Sequence, residues 1–406
     1  MTRLLVRDLA QVATPSGVAA PLRGEAMREV RVLEDAFVLC AGEAIEAVGA
    51  MRDLPRLDGA IEELDGRGLS AVPGLVDCHT HPAFAGDRAH EFSLRASGAT
   101  YEELLAAGGG ILSTMRATRA AGPDKLRESV FRHRAWMRAH GTTTFEGKSG
   151  YGLDRETELA QLRAIGEAGG VPTWLGAHAV PPEHADADAY VSWMIADVLP
   201  DAARLAEAAD VFVETGTFDV PQSRRYLEAC RKQGLALRLH GDQLTEIGAV
   251  GLAVELGARS IDHLETTGSA GIAALAASDV TAVALPVPAL YLGRPMPPAR
   301  ALLDAGAILA LATDFNPGSA FCESLPVVLT LACTALRMSP EEALSAATVN
   351  AAHVLARADR IGRLAPGFAA DVVLLDAPDW RHLAYHFAGD LVHTVVEAGH
   401  VAWQRA

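Results

Sequence analysis

The chain has one texture at its two ends and another through its middle. Over roughly the first 70 residues, short apolar stretches alternate with turns: TRLLVRDLAQVAT, VRVLEDAFVLC, AIEAVGAM and GLSAVPG. The last forty residues read the same way, in ADVVLLDA (370–377) and LVHTVVEAGHVAW (391–403). Such stretches predict β-strands, and a small β-sandwich domain built from residues 1–70 plus 360–406 accounts for the symmetry. Residues 71–359 instead carry eight short apolar runs: GLVDCHTH (74–81), TTTFEGKSG (142–150), TWLGAHAV (173–180), DVFVETG (210–216), ALRLHGD (236–242), RSIDHLE (259–265), TAVALPV (281–287) and ILALATDFN (308–316). Between them lie Ala-, Leu-, Glu- and Arg-rich segments that read as helices: YEELLAAGG, DKLRESVFRHRAWMRAH, ETELAQLRAIGEAG, PQSRRYLEACRKQG and EIGAVGLAVELGA. Strands alternating with helices imply parallel βαβ units, and eight of them close an α/β fold of the (β/α)8 TIM-like barrel type.

Polar residues gather at the carboxyl edges of these runs: His79 and His81, Lys148, His178, Glu214, His240, His263 and Asp314. In a barrel all those edges point to one face, where active sites are built. Strand geometry puts alternate residues on one side, so His79 and His81 both reach inward. Taken with His240 after the fifth run and Asp314 after the eighth, they make three imidazoles and one carboxylate. That set suits Zn²⁺ or iron with a position left open for water. A metal brings the pKa of its water from about 16 toward ~7, so a nucleophile forms near neutral pH. His263, beside this water, is placed to exchange a proton or hold an oxyanion, and Asp314 can touch both metal and water.

Composition narrows the partners. The 406 residues are half apolar, enough for a large core, and the net charge of −16 argues against nucleic acid or an anionic membrane surface as partner. Five cysteines with no C-x-x-C pair suit a reducing compartment. The opening MTRLLVRDLA has too short an apolar run for a signal peptide, and the stretch 272–292 is broken by Asp279, Pro286 and Pro288. A cytoplasmic protein is expected, and a homodimer is the base expectation for such enzymes.

PGLVDCHTH, the isolated His240, the Asp262-His263 pair and TDFNPG (313–318) resemble the amidohydrolase superfamily. Four longer strings are similar, more narrowly, to the imidazolonepropionase family: HPAFAGDRAHEF (81–92), GATYEELLAAGGGI (98–111), EGKSGYGLDRETEL (146–159) and LATDFNPGSA (311–320). The resemblance covers almost the whole chain and implies hydrolysis of 4-imidazolone-5-propanoate to N-formimidoyl-L-glutamate in histidine degradation. It also implies that Arg88 anchors the substrate carboxylate, and that Tyr151, His178, Asn316, Gly318 and Ser319 contact substrate or product. Two-metal relatives bridge their ions with a carbamylated lysine at the end of the fourth strand. Here that position is Glu214, so one ion is expected; Lys148 is read as a structural amine paired with Glu146 or Glu214.

Deaminases of the superfamily carry a proton-shuttling glutamate in H-x-x-E, whereas this chain reads His240-Gly241-Asp242-Gln243. An amide cannot transfer a proton, so Gln243 is expected to orient ring or water, leaving acid–base work to His263 and Asp314. His178 is expected to donate to the oxyanion together with the metal. The competing expectations are another mononuclear amidohydrolase of the deaminase type, which ammonia release would reveal, and a non-catalytic binder, which low metal occupancy would reveal.

Overall fold

The computed structural model describes residues 3–17, 19–98 and 109–406. The expected helix YEELLAAGG and most of the string GATYEELLAAGGGI lie outside the described residues. The eight apolar runs form one sheet of parallel strands: β6 (Leu75–Asp77), β7 (Thr142–Lys148), β8 (Val171–Ala177), β9 (Ala208–Val213), β10 (Ala236–Gly241), β11 (Ser260–His263), β12 (Thr281–Ala284) and β13 (Ile308–Leu311). Each pairs with its neighbours in chain order, from β6 through to β13. Beyond β6 the ring is drawn shut by backbone bonds: Asp314 N donates to His79 O at 3.0 Å and His81 N to Phe315 O at 2.8 Å. These strands are near-continuous apolar runs because helices cover their outer face while side chains fill the interior.

The covering helices follow the local sequence. Val220–Lys232 starts with a capping box, in which Asp219 accepts from Gln222 N while the Gln222 side chain answers Asp219 N. Ala249–Leu256 stops at Gly257, whose φ of +58° only glycine adopts without strain. Ile111–Ala139 contains the expected 124–140 segment up to its last residue, His140, which caps the helix, and is broken at Gly122-Pro123, where Gly122 has φ 74° and ψ 167°.

Both ends of the chain assemble into a second eight-stranded sheet, as their shared texture suggests. Its strands are β1 (Arg3–Pro15), β2 (Val30–Ala41), β3 (Ala44–Ala50), β4 (Ile61–Asp65), β5 (Ser70–Pro73), β14 (Val372–Leu375), β15 (Val392–Glu397) and β16 (His400–Gln404). The order is β16-β15-β14-β5-β1-β2-β3, with β4 also on β1. Leu4, Val6, Val12, Val38, Val372 and Leu374 form one of its buried faces. Arg134 and Arg138 on the barrel's long helix grip Glu397 of β15, tying the two sheets together. No helix among the described residues is long and apolar enough to cross a membrane.

Candidate metal centre

His79 and His81 leave the end of β6 on either side of Thr80, which bridges to Phe315, while His240 lies within β10 and Asp314 three residues beyond β13. All four are buried. Their donor atoms converge. His81 Nε2 lies 3.2 Å from His79 Nε2 and 3.4 Å from His240 Nε2. Asp314 Oδ1 lies 3.3 Å from His79 Nε2 and 3.2 Å from His81 Nε2. Donors at tetrahedral corners about 2.05 Å from one ion are separated by roughly 3.3 Å, which these four distances match; His79, His81 and Asp314 form one group of mutually close ligand atoms, and His240 adjoins it through His81.

The chemistry of the donors fits as well as the spacing. His79 Nδ1 meets Asp262 Oδ2 at 2.6 Å and His240 Nδ1 meets Asp210 Oδ1 at 3.1 Å. Those contacts hold the ring protons on the Nδ1 atoms and turn both Nε2 lone pairs inward. Burial and the Lys148 ammonium oppose a charge on His79, yet Asp262 and Asp314 carry its pKa up to about 9. Burial works against the charge of Asp314 too, but the His79 and His81 rings hold its pKa well below the usual carboxylate range. Burial lowers the pKa of His81 and of His240, so those rings stay neutral with lone pairs available to an ion.

Beneath the histidines lies a buried charge network that the sequence reading did not assemble. Lys148 Nζ reaches Asp210 Oδ2 at 2.6 Å, Glu146 Oε2 at 3.0 Å and Asp262 Oδ2 at 3.5 Å. Arg238 also pairs with Glu146 and donates to Val354 O at 3.2 Å. One ammonium therefore joins the two carboxylates that orient two of the converging rings. Lys148 does pair with Glu146, as expected, but not with Glu214. Glu214 instead accepts from Leu244 N (2.8 Å) and Thr245 N (3.1 Å), pinning the loop that carries Gln243. The available signal was Asp210, Arg238 and Asp262 inside otherwise apolar strands, since charges there must face the barrel interior.

His263 closes β11 with φ +87°, its Nδ1 3.4 Å from Glu265 Oε1. A ligand atom of His263 lies within 4.8 Å of those of His79 and His240. Asp242, Leu264 and Asp314 also have positive φ (53°, 74° and 54°), so the rim stores backbone strain where side chains must turn inward. Gln243 is half-buried in the loop after β10.

The remaining expected residues are Tyr151, His178, the turn after Asp314 and Arg88. Tyr151 is buried, its ring centroid 5.9 Å from that of His81 and 5.3 Å from that of His178. His178 differs from expectation. Its Nδ1 lies 3.0 Å from Gly150 O and so carries the proton of the neutral ring, while burial lowers its pKa to about 3. Its Nε2 therefore presents the lone pair of the neutral ring. The turn after Asp314 also departs from expectation. Asn316 spends both amide protons on Asp314 O (2.7 Å) and Ser319 Oγ (3.0 Å), and its Oδ1 takes Gly318 N and Ser319 N, each at 2.8 Å. The donors expected to meet a ligand thus shape the turn itself.

Arg88 binds Glu91 Oε2 through Nε and Nη2, both at 2.9 Å, and among the described residues the Nη1/Nη2 end of its fork has no further hydrogen-bond partner. That fork lies on Gly318, where a Cβ would stand 2.0 Å from Arg88 Nη1. Gly318 is therefore a matter of space.

A closed parallel barrel with imidazoles and a carboxylate converging at its carboxyl-edge mouth defines a metal-dependent hydrolase. The Amidohydrolase family model matches residues 70–401. The chain is 60% identical to an imidazolonepropionase of Rubrobacter xylanophilus over 98% of each chain. It is 46% identical to one of Chloroflexus aggregans, again over 98% of both. It superposes on the zinc-complexed atrazine chlorohydrolase of Arthrobacter aurescens with a TM-score of 0.71 at 21% identity, covering 99% of this chain and 95% of that one. The chain belongs to the amidohydrolase family and, within it, to the imidazolonepropionases; it is a hydrolase of C–N bonds that uses a divalent metal.

Proposed function

We propose that this chain hydrolyses the cyclic amide of 4-imidazolone-5-propanoate to N-formimidoyl-L-glutamate, the ring-opening step of histidine degradation. The observation that carries the reading is the close approach of the His79, His81 and Asp314 donors with His240 beside His81, a set that would hold a single Zn²⁺ or iron ion. The ion, when bound, supplies a water activated near neutral pH and polarises the ring carbonyl.

The chain's own residues do the rest. Asp314, whose carboxylate stays ionised, accepts a hydrogen bond from the attacking water. His263, its Nδ1 turned to Glu265, offers Nε2 to take that proton and return it to the departing ring nitrogen. His178 Nε2 accepts from an N–H of the substrate ring, the Tyr151 hydroxyl and Gln243 orient it, and the free end of Arg88 receives the propionate. The turn of Asn316, Gly318 and Ser319 walls this seat. The enzyme is read as cytoplasmic and homodimeric, acting on a small anion rather than on nucleic acid or membrane, with the barrel of residues 71–359 as the working domain.

The direct test follows the ultraviolet absorbance of imidazolone propanoate as the ring opens. No turnover by the metal-loaded protein, alongside activity on a purine or pyrimidine, would replace this substrate with another ring. For the proton carrier, His263→Ala is expected to lower kcat by about 10²–10⁴-fold with metal retained; near-normal turnover would remove His263 from the role.

A further inference from the structure

The loop that carries Tyr151, Ser149–Leu153, is wound around a carboxylate that the reading above leaves unused. Glu158 sits in the first turn of the helix Arg155–Glu167 and is buried. Its Oε1 accepts from Gly150 N at 3.1 Å, Gly152 N at 2.9 Å and Leu153 N at 2.9 Å, and Oε2 lies 3.2 Å from Gly150 N. Three amides of one short segment thus face one oxygen and favour its anion, against the burial that raises the Glu158 pKa to about 7. The segment accommodates this by taking positive φ at Gly150 (101°) and Leu153 (53°). Its glycines are dictated by the same closeness. A Cβ on Gly152 would lie 2.7 Å from Glu158 N and 3.0 Å from Oε1, and one on Gly150 would lie 2.8 Å from Leu175 O and 3.0 Å from His178 Nδ1. Arg119 holds the far side through Gly152 O at 2.6 Å and Asp154 Oδ2 at 2.8 Å.

Gly150 links this clamp to the reaction centre. Its N–H is seated on Glu158, and its carbonyl is the acceptor that fixes the proton of His178 on Nδ1. Tyr151 is the next residue. We infer that Glu158 is a positioning residue for substrate binding, one buried carboxylate setting both the place of Tyr151 and the tautomer of His178. It touches neither substrate nor metal. The inference rests on the proposed seating of the substrate against Tyr151 and His178.

Glu158→Gln keeps the shape while placing an amide among three N–H donors. With metal-loaded protein, KM for imidazolone propanoate is expected to rise about tenfold, on the scale of one lost charge-assisted hydrogen bond. The change in kcat should be smaller and the metal content unchanged. The ¹⁵N–¹H correlations of the His178 ring are expected to change from one tautomer to a mixture. A folded variant with unchanged KM and unchanged His178 signals would overturn the inference, and so would loss of metal with equal damage to kcat and KM, which marks a general scaffold residue. Should Glu158→Gln not fold, Gly152→Ala strains the same seat from the loop side and is read by the same measurements. If the wild-type enzyme opens no imidazolone ring, the proposed substrate fails alone, and the His178 spectrum still decides the role of Glu158.

Discussion

Gly318→Ala tests the anion seat without touching a charge. The added methyl would stand 2.0 Å from Arg88 Nη1, 2.6 Å from Cζ and 3.2 Å from Nη2. Ordinary contact begins at 3.4 Å, so the guanidinium must retreat by about 1.4 Å. It is anchored on Glu91, which in turn accepts from Gly110 N at 3.1 Å, so retreat means breaking that pair or leaving the seat. A displacement of this size abolishes a bidentate carboxylate contact, whose loss is worth about 1.5–3 kcal/mol, or roughly 10–150-fold in KM. Stability should barely fall, because Gly→Ala lowers the entropy of the unfolded chain by about 0.4–1 kcal/mol where the backbone tolerates it. The assay is steady-state ring opening of imidazolone propanoate against an analogue whose tail ends in a neutral amide. The variant should lose its preference for the carboxylate while the amide analogue keeps its KM. Retention of that preference, with Arg88 in place, would show that Arg88 is not the anion anchor.

Two further outcomes are expected. Lys148→Met removes the one ammonium shared by Asp210, Asp262 and Glu146, stranding buried carboxylates at a cost of about 3–5 kcal/mol; thermal unfolding should show a large drop in Tm and chelator competition a weaker hold on metal, and a variant with wild-type values in both would dismiss the network. His133 donates to Pro82 O at 2.7 Å, and burial lowers its pKa to about 4 against the ordinary 6.5. Between those values the unfolded chain binds a proton that the folded one refuses, so stability falls as pH drops from about 6.5 to 4, by on the order of 3 kcal/mol. His133→Gln should flatten that limb in denaturant titrations; an unchanged slope would assign it to other groups.

The barrel was legible because its strands are buried on both faces and announce themselves as apolar runs, all but the seventh ending in a polar residue. The converging ligands were legible for a related reason: strand ends share one rim, so position along the chain translates into place in the fold. What escaped was whatever depends on how a side chain is already occupied. Asn316 reads as a donor in sequence, but its amide is consumed by its own turn. His178 reads as a donor too, and only the carbonyl of Gly150 shows which nitrogen holds the proton. Lys148 was matched to one right partner and one wrong one, because pairing inside a barrel is decided across strands. Asp210 and Arg238 were passed over beside their apolar neighbours, although an ionised group in such a strand has nowhere to point but inward.

The seam of the barrel has a consequence for the life of the chain. The backbone bonds that join its first strand to its last are made by the residues flanking and including His79, His81 and Asp314. A ribosome-bound or truncated chain lacking the final strand has neither the closing bonds nor the carboxylate, and cannot gather a full ligand set. Bound metal would then mark a chain made at least as far as Asp314 and Phe315.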